Sequence, residues 1–135
     1  MIVTCGVIVT DGQRMLICHP THGRNWDIPK GRKDPGEEDI DTAVRELREE
    51  TGILADPELM IYLGEHDYKR NKQLVLFRYD VDDMPDPALL ICTSTFEMHG
   101  KQFPEMDAFV VTTKEVAVEK VNPDLARIIN SIELR

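Results

Sequence analysis

Residues 31–53 read GRKDPGEEDIDTAVRELREETGI. From Asp39 to Glu50 the apolar residues Ile40, Ala43, Val44 and Leu47 recur at i, i+3, i+4, i+7, the spacing of one face of an α-helix. Gly52 follows, where a left-handed residue ends a helix without steric cost. At about 100° per residue, Glu46, Glu49 and Glu50 fall together on a face adjoining the apolar stripe. Like charges at i, i+4 and acids near a helix C-terminus both weaken an isolated helix by a few tenths of a kcal/mol. A helix that breaks local rules in this way needs a compensating partner, and a hard divalent cation with oxygen ligands supplies one. The bland alternative is a solvated acidic face. Arg45 stands four residues before Glu49, a spacing that favours charge pairing.

Working outward, Ile2–Thr10 and Met15–Cys18 are β-rich runs separated by Asp11-Gly12, which predicts a hairpin. His19–Asn25 reads as loop, Trp26–Ile28 as a short extended piece, and the Gly- and Pro-containing Lys30–Gly36 as loop again. Beyond the helix, strands are expected at Leu59–Leu63, Leu74–Val81, Leu89–Thr95 and Ala108–Thr112. A polar turn, Asp67–Gln73, and a loop, Phe96–Asp107, separate them. Asn122 as N-cap, Pro123 in the first turn and the stripe Leu125, Ile128, Ile129, Ile132 predict a final helix. Two helices and six or seven strands make an α/β layered fold. At 135 residues the chain is expected to form a single domain, residues 1–135.

Twenty-five Asp and Glu against 16 Lys and Arg give a net charge of −9, which argues against nonspecific binding to long nucleic acid or anionic membranes. Small phosphorylated ligands stay compatible, because carboxylate-bound cations supply the missing positive charge. Cys5, Cys18 and Cys92 form no CxxC pair and are expected to be buried reduced thiols. No apolar run is long enough to span a bilayer and no signal-peptide pattern opens the sequence, so a cytoplasmic location is expected. The four histidines share no metal spacing, and no nucleophile motif is present.

The same 23-residue stretch matches G-x5-E-x7-R-E-U-x-E-E-x-G-U, with U aliphatic, at Gly31, Glu37, Arg45, Glu46, Leu47, Glu49, Glu50, Gly52 and Ile53. On these residues the chain is identified as a member of the Nudix hydrolases. The resemblance implies an α/β/α sandwich with a mixed sheet between helices and a Mg2+ cofactor, for which Mn2+ can substitute. It implies a reaction at a phosphoanhydride bond of a nucleoside diphosphate linked to another moiety. It further implies that Glu46, Glu49, Glu50 and the carbonyl of Gly31 hold the metal, while Glu37 and Gly52 are structural. Arg45 joins the catalytic group as the residue that pairs with Glu37 and orients the glutamates. Glu49 is one candidate for the general base; Glu105, in the loop before a late strand, resembles the additional glutamate of some relatives and is the other.

The lead-in Trp26-Asp27-Ile28-Pro29-Lys30-Gly31 resembles the W-x-x-P-K-G common among Nudix enzymes that act on dinucleoside polyphosphates, nucleoside triphosphates, capped RNA ends or diphosphoinositol phosphates. Lys30 is a candidate phosphate contact and Phe96 a candidate base-stacking residue. The expected substrate is a nucleoside triphosphate or dinucleoside polyphosphate. A diphosphoinositol polyphosphate, an RNA 5′ end, and a non-catalytic nucleotide-sensing module stand as alternatives. The expected partner is a small phosphorylated nucleotide, with no long nucleic acid and no membrane; a homodimer is left open.

Overall fold

The computed structural model describes residues 1–135. Its centre is a mixed sheet ordered β4-β5-β1-β2-β8, with β3 added against β1. These strands are β1 (Ile2–Thr10), β2 (Arg14–Pro20), β3 (Lys30–Arg32), β4 (Met60–Asp67), β5 (Lys72–Asp80) and β8 (Met106–Thr113). Only β1 and β5 run parallel, paired over their full length from Ile2↔Lys72 to Thr10↔Asp80. β6 (Thr95–Met98) and β7 (Lys101–Pro104) form a separate antiparallel hairpin.

Both sheet faces are covered, which explains why β1 and β2 are continuous apolar runs rather than alternating ones. On one face Cys5, Val7, Val9, Leu16, Cys18, Val75 and Phe77 pack with Ala43 and Leu47 of α1 (Asp39–Thr51). On the other, Ile8, Met15, Ile17, Leu74 and Leu76 pack with Ala117 of α2 (Lys114–Lys120) and with Leu125, Ile128 and Ile129 of α3 (Pro123–Asn130). The architecture is the expected α/β/α sandwich. Leu47 is fully buried, so truncating it to Ala would cost about 2–5 kcal/mol and loosen the helix that carries the glutamates.

α1 starts as its sequence requires. Asp41 accepts from the backbone N–H of the N-cap residue Glu38 at 3.1 Å, and the helix ends on Gly52 at φ +82°, whose N–H closes on the Arg48 carbonyl. Asn122 caps α3 by accepting from Leu125 N at 2.9 Å.

Four expectations are corrected. Within the expected loop Lys30–Gly36, residues 30–32 are strand β3, because their backbone pairs with Thr4–Gly6 of β1. The expected strand Leu89–Thr95 is absent but for Thr95, which opens β6: a 3-10 turn occupies Pro87–Leu89, and Ile91, Thr93 and Ser94 spend their N–H groups on the end of α1. Phe96–Asp107, expected as loop, contains the β6–β7 hairpin and the start of β8. α2 was not expected at all, since the alternation in KEVAVEK hides a helix that Thr113 caps by accepting from Val116 N. The totals are therefore eight strands and three α-helices.

Tyr68, read as part of a polar turn, is only 2% exposed, and Asn122 Nδ2 donates to its hydroxyl at 2.9 Å. All three cysteines are free; Cys5 and Cys18 are buried, and Cys92 is half-buried.

Candidate active site

α1 presents its acids to β3 and to the loop that leads from β3 back into the helix. Arg45 lies at the hub. Its Nε donates to Glu37 Oε2 at 2.8 Å and its Nη2 to Glu37 Oε1 at 3.0 Å, a bidentate pair that ties the loop to the helix. The other arm, Nη1, reaches Glu46 Oε1 at 2.9 Å and Glu49 Oε2 at 3.3 Å. Nη2 also donates to the Arg32 carbonyl, so one guanidinium joins loop, strand and two glutamates. The Arg45 guanidinium holds the Glu37 carboxyl at a pKa of about 2.

Glu46 and Glu50 are pressed inward. Glu50 is 2% exposed, and its Oε1 accepts from the backbone N–H of Lys30 at 2.8 Å. Burial pushes the Glu50 carboxyl up to about 9 and the Glu46 carboxyl up to about 7; for both, the charge of Glu105 adds to the rise. Gly31 makes the approach of Glu46 feasible, because a Cβ at position 31 would overlap the Glu46 carboxyl. β3 and α1 thus meet at these acids, and Glu105, far away in sequence, is near enough for its charge to act on both.

Glu105 is held in place by its main chain. Its N–H donates to Ser94 O at 3.0 Å, its carbonyl accepts from Thr21 N at 3.0 Å, and Thr21 Oγ1 donates to Pro104 O. Ser94 N and Thr93 N both donate to the carbonyl of Glu49, and Ile91 N to that of Thr51. These bonds satisfy carbonyls that the end of a helix would otherwise leave unpaired. A β-bulge between His19 and Pro20 opposes Met106 and Asp107 on β8, and His19 Nδ1 lies 2.7 Å from Asp107 Oδ1.

The other expected site residues are placed as follows. Lys30 Nζ pairs with Asp27 at 2.9 Å and lies 5.8 Å from the centre of the Tyr68 ring, so its ammonium is anchored rather than free. Burial works to lower its pKa, but Asp27, Tyr68 and Glu50 together outweigh this and the net shift is upward. Lys33 pairs with Asp39 at 3.0 Å. Trp26 is half-buried against the core on the α3 side. Phe96 lies on the hairpin, opposite Phe103. Sequence reasoning missed His22 and Phe103, which meet Phe96 in a three-ring cluster; nothing in their spacing links them to it.

The donor set fits a hard cation: all the converging groups are oxygens, and Gly31 leaves the room a side chain would fill. The side chains do not form a preformed cage of three acidic, imidazole or thiol groups. Arg45 lies against two of the carboxylates and balances their charge. Four surface concavities are present, and none is lined by Glu46, Glu49, Glu50 or Glu105.

The NUDIX domain model matches residues 2–132, so the chain belongs to the Nudix hydrolase family. It is 38% identical over 111 residues to an uncharacterized 17.7 kDa protein of Enterobacteria phage T4, covering 79% of this chain and 74% of that one. A stretch of 31 residues is 64% identical to the asymmetrical bis(5′-nucleosyl)-tetraphosphatase of Mus musculus, covering 23% of this chain and 21% of that enzyme. The fold is that of the E. coli dihydroneopterin triphosphate pyrophosphohydrolase, with a TM-score of 0.72 at 16% identity over 98% of this chain and 94% of that one.

Proposed function

We propose that this chain is a Mg2+-dependent hydrolase of phosphoanhydride bonds in a nucleoside diphosphate linked to another moiety. The proposed substrate is a nucleoside triphosphate or a dinucleoside polyphosphate. One observation carries the reading: Glu46 and Glu50, one helical turn apart, are drawn into a poorly solvated corner, Glu46 against Gly31 and Glu50 on the Lys30 N–H. Crowding acids out of water costs stability unless a cation compensates for it. The short stretch shared with the mouse tetraphosphatase, whose name specifies a dinucleoside polyphosphate, supports the substrate class.

In this reading Glu46, Glu49, Glu50 and the Gly31 carbonyl hold Mg2+, with Mn2+ as a substitute. When bound, the cation neutralises phosphate oxygens and lowers the pKa of water. Glu49 or Glu105 accepts the proton of the attacking water. Arg45 and Glu37 fix the helix against the loop so that these carboxylates keep their positions. Lys30, anchored by Asp27, keeps its positive charge and faces the phosphate chain, and Phe96 contacts the base.

The test is a turnover panel with Mg2+: nucleoside triphosphates, dinucleoside polyphosphates, nucleotide sugars, diphosphoinositol phosphates and triphosphorylated RNA. Release of nucleotide from the first two classes is expected. Turnover confined to diphosphoinositol phosphates or RNA ends would overturn the substrate assignment, and no turnover at all would favour a nucleotide-sensing module.

A further inference from the structure

The main-chain groups around Glu105 are divided between two segments. The N–H of Glu105 donates to Ser94 O at 3.0 Å and that of Met106 to Cys92 Sγ at 3.4 Å, so the donors go to the segment tied to the end of α1. The carbonyls go to one residue of the loop after β2. Thr21 Oγ1 donates to Pro104 O at 2.5 Å, and Thr21 N donates to Glu105 O at 3.0 Å. Thr21 and Glu105 are both half-buried, and directional bonds of this kind restrict a backbone that packing covers only in part.

A strained turn delivers Thr21 to those two carbonyls. β2 ends in the bulge at His19 and Pro20, the N–H of Gly23 closes on Pro20 O at 2.8 Å, and His22 between them stands at φ +65°. A side chain in that left-handed region costs free energy and persists where surrounding bonds over-determine it. His19 Nδ1, 2.7 Å from Asp107 Oδ1, adds a side-chain link between the same two segments. The charge of Glu105 reaches Glu46 and Glu50, so its placement bears on the candidate chemistry. An error of about 1 Å in a reacting group costs on the order of 10²-fold in rate.

From this geometry we infer that Thr21 is a positioning residue for the hydrolysis: its hydroxyl and N–H hold the Pro104–Glu105 backbone so that the Glu105 carboxylate keeps its place relative to α1. The inference rests on the reading of Glu105 proposed above and adds to it a residue outside the 31–53 stretch. Thr21 acts through Glu105 and not on the substrate, so its loss lowers kcat and leaves KM nearly unchanged.

The experiment compares wild type, Thr21→Val and Thr21→Ser, each with and without Glu105→Gln, by steady-state kinetics with Mg2+ on the best substrate of the panel. Thr21→Val keeps the shape and the N–H and removes the hydroxyl; Thr21→Ser keeps the hydroxyl. The expected result is a roughly tenfold lower kcat for Thr21→Val with KM within about twofold, and recovery of most of that loss in Thr21→Ser. In the Glu105→Gln background Thr21→Val should have no further effect, because the two changes act on one group. Amide hydrogen exchange without Mg2+ gives a second readout: in Thr21→Val the Glu105 amide should exchange several-fold faster while those of Ile8 and Leu74 keep their wild-type rates. Wild-type kcat in Thr21→Val would overturn the inference; so would a change in KM alone, no recovery in Thr21→Ser, or unchanged exchange at Glu105. An equal loss of kcat with and without Glu105→Gln would also overturn it, since the hydroxyl would then act elsewhere. A wild type that turns over nothing on the panel would remove the hydrolase reading and the positioning role with it, whereas turnover indifferent to Thr21→Val would remove the positioning role alone.

Discussion

Glu49 and Glu105, 56 positions apart in sequence, are joined through a single residue. The N–H of Ser94 donates to the carbonyl of Glu49 at 3.3 Å, and the carbonyl of Ser94 accepts from the N–H of Glu105 at 3.0 Å. The two candidate general bases therefore share one anchor, and the end of α1 positions them both.

If that anchor sets their separation, Ser94→Pro, which removes the N–H, should lower kcat more than it changes KM, because binding groups on Lys30 and the hairpin remain. Steady-state kinetics on the best panel substrate tests this. A variant with wild-type kcat would show that the Ser94 link does not position the bases.

The proton acceptor is identified by charge removal without loss of shape. Glu49→Gln should remove most activity while the melting temperature stays close to wild type, since the Glu49 side chain is 31% exposed and anchors no core contact. Glu105→Gln should cost a factor of roughly 10²–10⁴ if that carboxylate takes the proton from water, and near-normal turnover would assign the role to Glu49.

Gly31→Ala places a methyl group where the Glu46 carboxyl lies. The overlap must be relieved by moving Glu46 or the β3 entry, so activity should fall at least tenfold and stability by about 1–3 kcal/mol. Kinetics and thermal melting measured together separate the two. Unchanged activity would show that the close approach is not needed.

Glu37 yields a pH prediction. Its folded pKa, about 2, lies below the ordinary carboxylate value of 4.5 because Arg45 donates to it twice. The stability this pair contributes is therefore fully present above about pH 4.5 and is lost as pH falls through the folded value near 2. Denaturant melts of wild type and Glu37→Gln from pH 7 to pH 2 should start apart and converge at the acid end. A constant gap would mean that the Glu37 charge is not what stabilises the loop.

Within residues 31–53 the sequence was nearly sufficient. Helical spacing placed Leu47 in the core and the three glutamates on one edge, and Gly52 took the left-handed φ that only its missing Cβ makes inexpensive. Both effects are local, depending on a few turns of backbone, so they can be read from residue order. The terminal helix was legible for the same reason, through the Asn122 cap and its apolar stripe.

Contacts between distant segments could not be read in this way. Leu89–Thr95 has strand composition, yet the N–H groups of Ile91, Thr93 and Ser94 found the open carbonyls at the end of α1, and that competition exists only once the two segments meet. The pairing of Lys30 with Asp27 and the meeting of His22 with Phe103 depend in the same way on chain segments brought together by the sheet. Sequence alone determined the glutamate helix and the reaction class it resembles, because periodicity is a property of one segment. The tertiary structure decided how Glu105 is tied to that helix through Ser94 and how His22 meets Phe103, because burial and long-range hydrogen bonds act between segments.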